Sequence, residues 1–208
     1  MTHVTIPNLL LLYVRCDPPC LRGERETVVW SDVVYERFRA AGIALVAHVP
    51  DKVIAPVIER FEGDADVTVV PCTREEEGVG IVAGALLGGT RGALLMQTSG
   101  FGNCPNALAS LIVPYQLPLV MVISGRGIFN EFNPVQRGMG RSITRMLDAL
   151  DIAHHTLTDA ATLAPTIDLA LQTAYLTSFP VAFILSPLLT HGALPENPSL
   201  RMRREASR

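Results

Sequence analysis

No stretch of the sequence is long and unbroken enough to cross a bilayer. The longest apolar run, Leu111 to Ser124, is interrupted by Pro114, Gln116 and Pro118, and it falls short of the roughly 20 residues a spanning helix needs. The shorter Leu9–Val14 run has no basic region before it, so no export signal is expected and the location reads as cytoplasmic. Charge is scarce as well. Lys, Arg, Asp and Glu make up 18% of the 208 residues and the net charge is −3, which leaves no electrostatic footprint for nucleic acid. The basic end, with Arg201, Arg203, Arg204 and Arg208, reads as a solvated tail. Cys16 and Cys20 flank a Pro-Pro pair with no second pair of ligands nearby, so no metal site is expected there. Four cysteines without an export signal read as reduced thiols. There is no internal repeat, no Walker loop and no GxGxxG fingerprint.

What is present is apolar side chain in quantity. Hydrophobic residues are 49% of the chain, enough for one domain to bury a sizeable core and leave surface for a partner chain. Residues 1–26, with Pro7, Pro18, Pro19 and Gly23, read as an irregular arm, 27–190 as one domain and 191–208 as a tail. Ser31 is placed to cap a helix whose Val34, Phe38 and Ala41 share a face and which Gly42 stops. Strands are expected at Ile43–Val49, Val67–Val70, Ala93–Gln97, Leu117–Ser124, Ile152–Thr156 and Val181–Leu185. Helices fall between them. One buries Ile54, Val57, Ile58 and Phe61, one starts at Glu75, and one runs from Asn103 to Val113. Another covers Ile143–Leu150, and the last is capped by Thr158 or Asp159 and reaches Thr177. Gly125 to Gly140 lacks periodicity and reads as a long connection. Near-continuous apolar strands alternating with helices imply a three-layer α/β/α domain of about six mainly parallel strands, covered on both faces.

Ligands of such sheets sit outside the carboxyl ends of the strands. Those ends carry His48-Val49-Pro50-Asp51, Cys72-Thr73-Arg74-Glu75, Gln97-Thr98-Ser99 and Ser124-Gly125-Arg126. Three glutamates open the helix after Cys72. Thr73-x-x-Glu76 has the form of a capping box, and an acidic first turn suits the helix dipole, which accounts for Glu76 and Glu77. Glu75 differs in its facing. Val79, Val82 and Leu86 follow it at helical spacing, so Glu75 continues their apolar stripe. A carboxylate on a buried face is costly unless something hydrogen-bonds to it, and such groups occur both at functional sites and in structural networks. Gly80, Gly84 and Gly88 form a second stripe at i, i+4 spacing, suited to close approach by another backbone at a subunit interface. The turn Ser99-Gly100-Phe101-Gly102-Asn103 reads as a tight passage from strand to helix.

These residues carry a resemblance. The run from Thr73 to Arg126, with TREEEGVGIVAGALLGG, LLMQTSGFGN, NALASL and PLVMVISGRG, resembles the pyrimidine-binding domain of thiamine-diphosphate enzymes. It is most similar to the alpha subunit of sulfopyruvate decarboxylase and the matching half of phosphonopyruvate decarboxylase. In that family a glutamate nine residues before the glycine of an Ala-Gly pair bonds N1′ of the cofactor's aminopyrimidine, and counting back from Gly84 selects Glu75. The resemblance implies thiamine diphosphate as cofactor and Glu75 as the catalytic carboxyl that shares a proton with the ring. It implies loss of CO₂ from a small 2-oxo acid whose tail is a sulfonate, a phosphonate or another polar group.

By the same resemblance Gln97, Ser99 and Asn103 line the pyrimidine, and Pro50 and Asp51 turn the first loop toward cofactor and substrate. His48 and Arg126 are further substrate candidates, Arg126 as a guanidinium fork for an acidic tail. Plainer alternatives stand beside these: Asp51 as a helix N-cap, His48 as a satisfied structural histidine, Arg126 in a surface ion pair. Cys72 and Cys104 read as small packed residues with no paired base. A complete enzyme of this kind also needs a Gly-Asp-Gly motif and a downstream Asn to hold Mg²⁺ and the diphosphate. The one Gly-Asp here, Gly63-Asp64, is followed by Ala65. Diphosphate and Mg²⁺ ligands are therefore expected from a beta subunit, in a hetero-oligomer with more than one copy of each chain. The chain departs from the family in having Gly125 where a Trp often precedes the Arg-Gly pair, and in extending past the usual start over residues 1–30. A carboligase subunit using the same cofactor, or a non-catalytic binding or regulatory subunit with the same fold, are the alternative readings.

Overall fold

The computed structural model describes residues 29–129, 131 and 133–190. The expected arm over 1–26, with its two cysteines, and the tail over 191–208 lie outside the described residues. The strands are β1 (Ile43–His48), β2 (Thr68–Pro71), β3 (Arg91–Gln97), β4 (Val120–Ser124), β5 (Ala153–Leu157) and β6 (Val181–Leu185). They form one sheet in the order β2-β1-β3-β4-β6-β5, and every neighbouring pair is parallel. The sheet is α/β with covered faces, as the apolar runs imply.

Alternation along the strands divides the core into two halves. Ala93 and Leu95 of β3, Val120 and Val122 of β4, and Phe183 of β6 join one cluster. Leu94 and Met96, Met121 and Ile123, and Ile184 join the other. The first face is covered by helices α1 (Trp30–Ala40), α2 (Ala55–Glu62) and, late in the chain, α7 (Ala160–Thr177), through Val34, Phe38, Phe61 and Leu163. The second is covered by α3 (Glu75–Leu87), the short helices α4 (Thr98–Phe101) and α5 (Pro105–Ala107), and α6 (Gln136–Ala149). Both faces of β3 and β4 are buried, which is why those strands read as unbroken apolar runs.

Three expectations are corrected. Ser31 does not cap α1; Val29 holds that position without a side-chain cap, and Ser31 is buried inside the first turn. The helix expected from Asn103 to Val113 is α5 followed by a π-helical turn at Leu108–Ile112, with α4 a separate short helix before it, because Gly102 and Pro105 break the regular hydrogen-bond pattern while Leu108 and Ile112 stay buried. The connection from Gly125 is shorter than expected, since α6 begins at Gln136. Met139 lies one turn before the buried Ile143 and Leu147 and packs against the same cluster. Gly138 and Gly140 disguise this helix in the sequence. Gly140 is there for a close passage, as a Cβ on it would come within 2.2 Å of the Arg126 carbonyl oxygen. Among the described residues no helix is long and apolar enough to cross a membrane.

Phe61 is fully buried against Tyr35 and Phe38, where α1 and α2 meet. Phe61→Ala is expected to lower unfolding free energy by about 3–5 kcal/mol, measured by urea titration of the purified chain.

Candidate active site

Strand β1 has β2 on one side and β3 on the other, so the chain reverses direction across the sheet there. Such a switch point opens a crevice at the carboxyl ends of the strands. Asp51, three residues past β1, closes its floor. Its Oδ1 accepts from the Val53 N–H at 3.0 Å and from Ser124 Oγ at 2.9 Å. Its Oδ2 accepts from Gln97 Nε2 at 2.9 Å. One carboxylate thus ties the loop after β1 to the ends of β3 and β4. Ser99 Oγ donates in turn to Gln97 Oε1, and Thr98 Oγ1 donates to the Ser124 carbonyl at 2.6 Å. The N-cap alternative for Asp51 holds beside this: regular α2 starts at Ala55 after Ile54, but in the turn leading into it Asp51 accepts the Val53 N–H on its carboxylate and the Ala55 N–H on its carbonyl, each at 3.0 Å.

Glu75 is the first residue of α3. Val79 and Val82 on its stripe are fully buried, and Gly78 lets α3 press on the sheet, since a Cβ there would lie 2.4 Å from a Leu94 methyl. Glu75 therefore reaches across to the turn after β3. A Cβ on Gly100 would lie 1.8 Å from Glu75 Oε1 and 2.1 Å from its Cδ, so the carboxyl rests on bare backbone. Asn103 Nδ2 donates to Oε2 at 3.3 Å; Oε1 has no hydrogen-bond partner among the described residues. The Thr73–Glu76 capping box does not form. Glu77 reaches back to the Thr73 N–H at 2.9 Å, and Glu76 pairs with Arg74 at 2.6 Å. Burial, with Glu75 and Glu76 adding to it, pushes the Cys104 thiol up to about 12, which fits a packed residue and no nucleophile.

The other candidates separate. Pro50 is exposed on the loop after β1. His48 is buried and follows Val46 onto the α2 face, away from Glu75, in a cleft of about 390 Å³ with Asp51, Lys52, Glu59 and Glu62. Among the described residues neither ring nitrogen has a hydrogen-bond partner, so none of them satisfies this histidine as the plainer reading expected; burial lowers its pKa, with Glu62 acting the other way. Arg126 is not in a surface pair. Its Nε and Nη2 donate to the two oxygens of Glu131 at 2.8 and 3.0 Å, with the two side chains only 10% and 4% exposed. Burial works to raise the Glu131 carboxyl, but Arg126 and the Asn133 and Gly127 N–H groups outweigh it and hold it down at about 2. Sequence reasoning missed Thr98, Ser124 and Glu131. The first two sit at strand ends and were within reach of the edge argument, whereas Glu131 lies in an aperiodic stretch with no signal of its own.

No family model matches the chain. Curated relatives do. The chain is 35% identical over 158 residues to the sulfopyruvate decarboxylase subunit alpha of Methanococcus maripaludis, covering 76% of this chain and 95% of that one. The corresponding subunit of Methanocaldococcus jannaschii is 36% identical, with 76% and 94% covered. The chain belongs to the sulfopyruvate decarboxylase alpha-subunit family. The match also reaches the phosphonopyruvate decarboxylase of Streptomyces viridochromogenes, at 35% identity over 119 residues, spanning 57% of this chain and 30% of that protein. A solved structure of 2-oxoglutarate:ferredoxin oxidoreductase from Magnetococcus marinus shares the fold of this family member, with a TM-score of 0.55 and 12% identity over 78% of the chain. The match spans 29% of that longer chain.

Gly100→Ala is expected to force the Glu75 carboxyl aside and to lower unfolding free energy by about 1–3 kcal/mol, read by urea titration. The Glu131 carboxyl, depressed from 4.5 to about 2 on folding, stabilises the chain above its unfolded value and ceases to as pH falls through that window. The denaturation midpoint should accordingly fall more steeply over this range in the native chain than in Glu131→Gln; parallel profiles would show that the pair contributes nothing.

Proposed function

We propose that this chain is the pyrimidine-binding subunit of a heteromeric, thiamine-diphosphate-dependent decarboxylase acting on a small 2-oxo acid with a polar tail. The observation that carries this is the Glu75 carboxyl. It is held against the Gly100 backbone at the switch-point edge, with one oxygen bonded by Asn103 and the other without a partner among the described residues. The relatives are named as decarboxylases of sulfopyruvate and phosphonopyruvate.

The residues fit the cofactor's pyrimidine. A carboxyl with one free oxygen suits a ring nitrogen, and Gly100 leaves no side chain in the way. Bound there, thiamine diphosphate would supply the electron sink that loss of CO₂ requires. Glu75 would hold a proton between its free oxygen and the ring. Asn103 would fix the carboxyl's rotation, while Gln97 and Ser99, locked to each other and to Asp51, would line the ring's approach with Pro50. The Asp51 carboxylate would border the reacting acid, and Arg126 would meet its tail. His48 faces the α2 side and would act only through the loop that carries Asp51.

The relatives are alpha subunits, and the present chain has a surface to match a partner. Gly80 and Gly84 of α3 are exposed, with nothing within 4 Å of where a Cβ would stand, and Leu87 on the same helix is 71% exposed. A beta subunit packed there would bring the diphosphate and Mg²⁺ ligands to Glu75. The working unit is then residues 27–190 in a cytoplasmic hetero-oligomer holding more than one copy of each chain. A regulatory role alone gives no reason for a carboxyl turned onto bare backbone.

Purifying the chain alone and with its beta subunit, then measuring cofactor binding and CO₂ release from a panel of 2-oxo acids, tests this directly. Both should require the two chains together; turnover by this chain alone would sink the divided site. Glu75→Gln should cut CO₂ release by about a hundredfold or more while assembly persists, and an unchanged rate would refute its role. Gly84→Leu should not lower the chain's own unfolding midpoint, since leucine favours the helix over glycine, and should block assembly, measured by gel filtration with the partner.

A further inference from the structure

A guanidinium group has two edges able to bind an oxyanion in bidentate fashion, Nε with Nη2 and Nη1 with Nη2. In Arg126 the first edge is taken by Glu131, at 2.8 and 3.0 Å. We propose that Glu131 is a positioning residue that turns the second edge of Arg126 toward the anionic tail of the substrate. This rests on the decarboxylase reading above.

Both ends of Arg126 are fixed. Its backbone N–H donates to Thr98 Oγ1 at 3.1 Å, which anchors it to the end of β3. Its head is held by a carboxylate that is itself immobilised, because Glu131 also accepts from the Gly127 and Asn133 N–H groups, each at 3.0 Å. The two side chains are nearly closed to solvent, so water does not compete for the pair and a long flexible side chain is kept in one orientation. Nη1 has no partner among the described residues. Thr98 Oγ1 also donates to the Ser124 carbonyl, and Ser124 Oγ donates to Asp51, so Arg126 borders the same edge as the proposed cofactor site.

A charge already matched by Glu131 attracts anions weakly at long range. What it offers is a rigid fork whose geometry selects an oxyanion with two oxygens presented together, as a sulfonate, phosphonate or carboxylate tail does. A 2-oxo acid without such a tail gains nothing from it. Glu131 therefore governs discrimination between acids and leaves the chemistry at the 2-oxo group to other residues.

The test compares sulfopyruvate with pyruvate in the complex of both chains. Glu131→Gln keeps the size of the side chain but removes one acceptor and the charge, so the ratio of KM for sulfopyruvate to KM for pyruvate should rise about tenfold or more. Arg126→Lys, which keeps the charge and loses the fork, should move the ratio the same way, and it stands as the test if Glu131→Gln does not fold. An unchanged ratio in a folded variant overturns the proposal, as does an equal loss toward both acids. Calorimetric binding of 3-sulfopropanoate to the same complexes separates this from the function itself. If the native complex releases no CO₂ yet binds this anion in a Glu131-dependent way, the decarboxylase reading fails and the anion fork stands.

Discussion

A carboxyl group resting on glycine backbone is the contact around which this domain is arranged. Glu75 and Gly100 come from segments that follow different strands, and no side chain larger than hydrogen fits between them. To bring them together, α3 must cross from β2 over the sheet to β3, and Gly78 must let it sit low enough on Leu94. Filling either glycine would lift the helix or turn the carboxyl away. The close packing of the second core face, with Val79, Val82, Met96 and Phe101 fully buried, is what keeps the two in register.

The sheet edge is then made rigid by polar groups rather than by packing. Asp51 gathers hydrogen bonds from its own loop, from Gln97 and from Ser124, and so sets the spacing of three strand ends. Thr98 does the same between β3 and the exit of β4. The Arg126–Glu131 pair extends this network into the following loop. A buried ion pair contributes little net stability compared with apolar packing, and its usual value lies in fixing one geometry. That is the property the substrate contact proposed for Arg126 would need.

Much of the fold was legible because this sheet is buried on both sides. Strands β1, β3, β4 and β6 must be apolar at nearly every position, so they stand out without any homologue. Glu75 was legible for a related reason: a helix packed on a sheet marks its buried stripe every three or four residues, and a charged residue on that stripe is conspicuous. Elements at the margins were harder. Gly138 and Gly140 look like helix breakers, yet Gly140 serves the close passage of α6 over Gly127 and Arg126, while a Cβ on Gly138 would meet open space. Ser31 looked like a cap and is buried instead.

The sequence by itself determined the layer architecture, the sheet edge at which polar residues gather and a carboxyl that continues an apolar helix face. All three follow from periodicities of two and 3.6 residues, which are local. Tertiary structure decided what each polar residue at that edge is bonded to. Asp51 meets Ser124 across 73 positions and Gln97 across 46, and Glu75 meets Asn103 across 28. No local pattern encodes such meetings, because they depend on which strands become neighbours. His48 and Arg126 show the same limit from the other direction. Both lie at the expected strand ends, but pleat direction sent one to the α2 face, and an unforeseen glutamate claimed half of the other's guanidinium.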